Sequence, residues 1–231
     1  MIIGFVGFIS AGKDTAADYL VNYHQFRRDS FASTLKDAVA AVFGWDRTLL
    51  EGRTKEAREW REQVDTWWSL RLGIANLTPR WILQYWGTEV LRGAFHDEIW
   101  IASLENKMRK TRDNIVISDV RFPNEITAIK NAGGKVIRIK RGPEPEWYYH
   151  AENYNKGPNG NMGWALGRKR LEDLGIHASE TAWIGQPIDL EIDNNGSIED
   201  LFTTLESVVK NRELNRPDAN ALHLDEVFAG N

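Results

Sequence analysis

An apolar run, Ile2-Ile3-Gly4-Phe5-Val6, leads directly into Gly7-Phe8-Ile9-Ser10-Ala11-Gly12-Lys13-Asp14-Thr15, and a helical stretch follows at once. A strand, a Gly-x-x-x-x-Gly-Lys turn and a helix in that order leave the chain few folds to choose from. The two glycines let the backbone curl so that successive amide N–H groups point inward, and the positive end of the helix dipole adds to them. Lys13 can then reach the terminal phosphates of a nucleotide. In place of the usual Ser or Thr after the lysine stands Asp14, and the hydroxyl comes one residue later at Thr15.

The rest of the chain alternates strands and helices. Residues 15–23 read as the helix that completes a strand–loop–helix unit, and 28–32 as a second strand. Thr34 with Asp37 marks a helix start. Leu35, Ala38, Val39, Val42 and Phe43 then recur at helical spacing up to Gly44, which leaves Lys36 off the apolar face. Residues 54–72 read as one charged helix with a tryptophan-rich stripe. Thr78-Pro79 opens another through Leu91, and a further helix covers 100–108. Ile115 to Ser118 is a continuous apolar strand ending at Asp119, the pattern of a parallel strand buried on both faces. A helix over 124–131, a strand at 136–139, a strand at 188–192 and a helix to about Lys210 complete the pattern. The expectation is α/β, with a doubly wound parallel sheet in a single domain over 1–210. Residues 45–79 form a helical segment, and the Gly-, Pro-, Asn- and aromatic-rich stretch 142–175 reads as a lid-like insertion or a mobile surface loop. Residues 211–231 are polar and read as a frayed tail.

Bulk properties narrow the class. With 231 residues and 42% hydrophobic content the chain can bury a sizeable core, and its ten tryptophans read first as packing. No apolar run reaches the ~20 residues of a membrane span, and Met1 opens into a strand rather than a signal segment. The absence of cysteine excludes disulfides and thiolate metal sites and suits a cytoplasmic protein. A net charge of −4 argues against a dedicated nucleic-acid binder, whereas an anionic small molecule needs only a local basic pocket. Basic residues cluster at Arg53, Lys55, Arg58 and Arg61, at Arg138, Lys140 and Arg141, and at Arg168 to Arg170; each cluster alone reads as a solvated face.

Asp119 at the C-terminal end of a buried strand lies where open parallel sheets bind ligands, placed to hold Mg²⁺ or its bound water. Arg121, two residues on, would bring a guanidinium fork to the same crevice. A phosphate acceptor needs no general base, because its oxygen is already ionised near neutral pH. Catalysis then reduces to alignment and charge neutralisation. The sequence carries no Ser/His/Asp constellation, and His150 and His177 are too isolated for zinc.

On these residues the chain resembles the bacteriophage deoxynucleoside monophosphate kinase family, a branch of the P-loop kinases. The matching blocks are 7–18 (GFISAGKDTAAD), 31–44 (FASTLKDAVAAVFG), 80–100 (RWILQYWGTEVLRGAFHDEIW), 117–125 (ISDVRFPNE), 132–141 (AGGKVIRIKR) and 177–202. Segments 45–79 and 142–175 match poorly. The resemblance implies a P-loop kinase fold, in which 45–79 is expected on the acceptor side. It implies that Ser10, Gly12, Lys13, Asp14 and Thr15 hold the phosphates of ATP, with Arg141 near the donor. Leu35, Lys36, Arg80, Gly87, Thr88 and Trp100 would form the acceptor pocket; for Trp100, core packing is an equal alternative. Lys13, Asp119 and Arg121 would be catalytic, with Asp14 and Asp119 holding Mg²⁺ through water. Family members often carry Lys or Arg inside the loop, where this chain has Ile9 and Ser10. The missing charge must come from elsewhere, with Arg53, Arg58, Arg168 and Arg170 as candidates.

The leading expectation is transfer of the γ-phosphoryl of ATP to a deoxynucleoside monophosphate in the host-cell cytoplasm, in deoxynucleotide supply, without a nucleic-acid or membrane partner. The resemblance also implies a homodimer. A P-loop kinase for another phosphorylated metabolite and a DNA-stimulated ATPase are the alternatives.

Overall fold

The computed structural model describes residues 1–159 and 162–213. Five strands form one wholly parallel sheet: β1 (Ile2–Val6), β2 (Phe26–Asp29), β3 (Asn114–Ile117), β4 (Lys135–Lys140) and β5 (Leu190–Asp193). Their spatial order is β2-β3-β1-β4-β5, so β1 lies at the centre with Ile2 opposite Ile115 and Ile3 opposite Lys135. The first crossover runs outward past the place of β3, the second returns to fill that place, and the later ones go to the other side of β1. The connection therefore reverses at β1, and the crevice at the C-terminal ends of the strands opens there.

Both faces of the sheet are covered, which explains why β1 and β3 are apolar at almost every position. On one face Ile3, Phe5 and Val116 pack against Ala16, Ala17 and Leu20 of α1 (Lys13–His24) and Leu201 and Leu205 of α12 (Ile198–Glu213). On the other, Val6, Ile115 and Ile117 meet Leu104 of α7 (Ile99–Lys110) and Ile126 and Ile129 of α8 (Pro123–Asn131). This is the expected doubly wound α/β sheet.

A third core lies beside the sheet. Leu35, Val39 and Phe43 of α2 (Ser33–Phe43) gather Leu50 of α3 (Arg47–Glu51), Leu77, Ile82 of α6 (Pro79–Gln84) and Trp100. The stretch expected as one helix over 54–72 is two, α4 (Lys55–Arg61) and α5 (Thr66–Leu72). Asp65 breaks it: its carboxylate caps Trp68 N at 3.0 Å and accepts Trp45 Nε1 at 2.9 Å, while its own N–H donates to Leu77 O. After Gln84 the next helix widens into a π-helix over Tyr85–Phe95 rather than ending near Leu91. Thr78 does cap α6, accepting Trp81 N at 3.1 Å, and Gly44 ends α2 with φ +68°. Thr34 does not cap α2; its hydroxyl accepts from Ser103 Oγ at 2.8 Å, and the helix starts at Ser33.

The 142–175 stretch contains two packed helices, α9 (Tyr148–Asn155) and α10 (Gly163–Asp173), with Ala151 and Leu171 buried in the core on the α7 and α8 face of the sheet. A short α11 (Ala178–Thr181) follows. The tail expected from 211 joins α12 as far as Glu213, and 214–231 lie outside the described residues.

Gly167 of α10 sits against the backbone of α9, where a Cβ would overlap His150 O. Helix propensity alone favours Gly167→Ala by roughly 1 kcal/mol. Backbone overlap outweighs it, so the substitution is expected to destabilise the protein by about 1–3 kcal/mol in urea unfolding.

Candidate active site

The site is built where the parallel strands end. The loop from β1 to α1 turns through Gly7 (φ +138°), Ser10 (φ +62°) and Gly12 (φ +103°), conformations that open its amides toward the crevice. The two glycines are also required by close approach. A Cβ on Gly7 would overlap Ile139 O of β4, and one on Gly12 would overlap Asn194 Nδ2 just after β5. Asn194, buried, donates to Ala11 O at 2.8 Å and so fastens the loop to the far side of the sheet.

Lys13 folds back over this loop, its Nζ donating to Gly7 O at 2.8 Å and Phe8 O at 2.7 Å. Burial, and then the neighbouring Arg121 charge, hold its pKa below the usual lysine value. Asp14 opens α1 with its Oδ1 accepting from Arg28 Nη2 at 2.6 Å and from Ser118 Oγ at 3.0 Å. Arg28 also reaches Asp18 Oδ1 at 2.9 Å through Nη1.

Asp119 follows β3, as its apolar run implies. Its Oδ1 is buried and finds no hydrogen-bond partner in the protein among the described residues. Burial pushes the carboxyl up to about 6, against the pull of Lys36 and Arg121. Arg121 is half-exposed, with Nη1 3.2 Å from Ser179 Oγ and 3.9 Å from Glu180 Oε1 of α11. Behind them Glu125 is buried at the start of α8, accepting the N–H groups of Arg121 (2.8 Å) and Phe122 (3.1 Å) through Oε2. Burial raises its carboxyl to about 7, and the charge of Asp119 adds to the shift.

A cleft of about 410 Å³ joins these groups to the helical side. Asp14, Ser118 and Asp119 line its sheet end, and Lys36, Arg47, Glu51, Arg53 and Arg58 line the other, with Arg28 and Asp29 between. Lys36 pairs with Glu51 at 2.7 Å, and Arg47 ties Glu51 (2.5 Å) to Asp37 (2.6 Å). Of the arginines considered for the missing loop charge, Arg53 and Arg58 line the cleft, while Arg168 pairs with Glu172 on α10 at 2.8 Å.

Other expected residues sit behind or beside the cleft. Leu35 and Trp100 are buried in the third core, where Leu35 packs on Gly87 and Trp100 Nε1 donates to Gly87 O at 3.0 Å. Thr88 is exposed, and Arg80 faces Glu62 at 3.6 Å. Arg141 is exposed just after β4, at the same edge as the loop. The sequence reading missed Arg28, Ser118, Glu51 and the Ser179–Glu180 pair. Only Arg28 carried a signal: a basic residue beside the C-terminal end of a strand in a parallel sheet.

Among the described residues no cluster of three or more His, Cys, Asp or Glu side chains forms a metal cage. The partnerless Oδ1 of Asp119 and the nearby Asp14 carboxylate fit Mg²⁺, which keeps waters and takes one or two carboxylates alongside substrate phosphates.

A family model described as deoxynucleotide monophosphate kinase matches residues 66–151. A protein of Acanthamoeba polyphaga mimivirus, provisionally named a deoxynucleotide monophosphate kinase, is 35% identical over 155 residues, covering 61% of this chain and 74% of that one. The chain belongs to the deoxynucleotide monophosphate kinase family. A second member, the deoxynucleoside-5′-monophosphate kinase of Escherichia phage T5, is 27% identical over 174 residues, covering 54% of this chain and 70% of its own. A solved shikimate kinase from Aquifex aeolicus, 11% identical, superposes with a TM-score of 0.44 over 94% of this chain and 100% of that one. The family assignment rests on the sequence relatives.

In this kinase-family chain the raised Asp119 pKa has a sign for stability. The unfolded carboxyl titrates near 3.8 and the folded one near 6, so the folded state loses stability as pH rises through that window. The full shift is worth roughly 3 kcal/mol. Asp119→Asn is therefore expected to raise the unfolding free energy of the ligand-free protein, read from urea titration near pH 8, by about 1–3 kcal/mol, and to leave it almost unchanged near pH 4. An equal effect at both pH values would contradict this origin.

Proposed function

We propose that this protein is a deoxynucleoside monophosphate kinase, moving the γ-phosphoryl of ATP to the 5′-phosphate of a deoxynucleoside monophosphate to give ADP and the diphosphate for DNA synthesis. One observation carries the reading beyond family membership. The cleft that starts at Asp14 and Asp119, beside the phosphate loop, continues without interruption to Lys36, Arg53 and Arg58 on the helical side. A donor phosphate chain and an acceptor phosphate fit end to end in such a channel.

In this reading ATP lies with its phosphates on the loop amides of residues 10–15, and Lys13 exchanges the Gly7 and Phe8 carbonyls for phosphate oxygens. Arg141 lies toward the donor. Lys36 and the arginines of the α3–α4 turn receive the acceptor phosphate, with Arg80 and Thr88 on the outer wall. Leu35, Gly87 and Trp100 act from behind, the indole N–H fixing the Gly87 carbonyl that shapes the wall. Mg²⁺, held by Asp14 and Asp119 through water, would neutralise charge on the donor phosphates. Asp119 and Arg121 flank the point of transfer. No group has to remove a proton from the acceptor, so positioning and electrostatics carry the rate.

The deciding experiment is an ADP-release assay with ATP, Mg²⁺ and a panel of dGMP, dTMP, dCMP, hydroxymethylated dCMP, dAMP and the ribonucleotides. At least one deoxynucleotide should raise ADP release well above the acceptor-free rate. Stimulation by DNA and not by mononucleotides would overturn the reading. Lys13→Ala should lower kcat by about 10²–10³-fold or more while the protein keeps its fold by circular dichroism.

A further inference from the structure

A carboxylate at the start of α1 stands against the place where a polyphosphate binds. Asp14 follows Lys13 directly, and Ile9 and Ser10 bring no positive charge to the loop. A carboxylate that close to a polyphosphate repels it and opposes binding. Something must cancel it.

Arg28 is placed to do so. It lies on β2, separated from the loop's own strand by β3, and its side chain crosses that gap with only 13% exposure. Nη2 donates to Asp14 Oδ1 at 2.6 Å and to Ser118 Oγ at 3.0 Å, and Nη1 to Asp18 Oδ1 at 2.9 Å. Ser118 Oγ donates in turn to the same Asp14 oxygen at 3.0 Å, and Ser118 is bonded to Asp119 in the chain. The guanidinium thus ties the loop's carboxylate to the end of β3, and all of these residues line the one cleft. Acceptors in two directions need a fork, which a lysine does not provide.

We propose that Arg28 is a positioning residue for phosphoryl transfer, cancelling the charge of Asp14 and pinning that carboxylate beside Asp119, so that β2 supplies the positive charge that Ile9 and Ser10 do not. It acts through Asp14 rather than on a substrate. The proposal rests on the kinase reading above.

The test uses the full chain, with calorimetric binding of a non-hydrolysable ATP analogue plus Mg²⁺ and separate binding of the preferred deoxynucleoside monophosphate. Arg28→Gln should weaken analogue binding by about 10–100-fold, the scale of losing a charged hydrogen-bond partner, and leave acceptor binding within about twofold. Because Asp14 is also placed to hold Mg²⁺, the reference for the double variant is Asp14→Asn alone: adding Arg28→Gln to Asp14→Asn should weaken analogue binding by less than about threefold, since no carboxylate is left to cancel. Unchanged analogue binding in Arg28→Gln, a double variant as much weaker than Asp14→Asn as Arg28→Gln is than the wild type, or an equal loss of acceptor binding would each overturn the proposal. If Arg28→Gln does not fold, Arg28→Lys serves. It keeps the charge without the fork and should bind the analogue while losing kcat by about tenfold or more; full kcat would overturn the proposal. A wild-type protein that does not bind the analogue would overturn the kinase reading together with it, whereas binding by the wild type and equally by Arg28→Gln overturns this proposal alone.

Discussion

The loop after β1 has no room for a side chain at Gly7 or Gly12, and the arrangement of the whole site follows from that closeness. The Gly7 backbone presses on the Ile139 carbonyl of β4, and Gly12 on the Asn194 amide beyond β5. The loop is therefore held by the two strands on one side of β1. Its continuation, α1, is held by contacts to the other side through Asp14, Ser118 and Arg28. A curl of backbone that would be floppy on its own is fixed at both ends, which is what preorganised amide donors require.

Charge is the second constraint. The cleft has five basic residues, Arg28, Lys36, Arg47, Arg53 and Arg58, against five acidic ones, Asp14, Asp18, Asp29, Glu51 and Asp119. Most find each other: Arg28 with Asp14 and Asp18, Lys36 and Arg47 with Glu51. Asp119 does not. Its buried, partnerless oxygen and its raised pKa mark a group kept ionisable at a cost to the ligand-free fold. Stability given up at one carboxylate is the ordinary signature of a site shaped for a ligand rather than for folding.

Much of this was legible because the informative patterns are local. Residues 2–15 fix strand, curl and helix within one short window, and the apolar run before Asp119 places that carboxylate at a strand end whatever the rest of the chain does. What escaped reading depends on partners far away in sequence. The break between α4 and α5 is made by Asp65 because Trp45 and Leu77 come to it. Thr34 is drawn from its expected cap by Ser103, and Arg28 gains meaning only when β2 lies next to β3. Trp100 reads equally as a base contact or as core until Gly87 is seen to accept its N–H. Composition pointed to packing for the tryptophans, and Trp68 and Trp183 follow it, while Trp67 remains largely exposed.

Phe8 shows why the 142–175 stretch should not be treated as separate from the chemistry. It lies inside the phosphate loop, and its carbonyl accepts from Lys13. Its ring packs edge-on against Trp147 at the start of α9 (5.4 Å between centroids) and against Trp183 (5.2 Å), with Arg138 stacked over Trp183 and Tyr148. Trp183 in turn donates to the carbonyl of Glu180, whose carboxylate faces Arg121. An edge-to-face aromatic cluster is directional as well as apolar, so a shift of α9 is felt at both the loop and the α11 end of the crevice. The loop after β1 and the 142–175 stretch thus share one packed unit. A change in that stretch therefore bears on the loop through Phe8, even though none of its described residues lines the cleft.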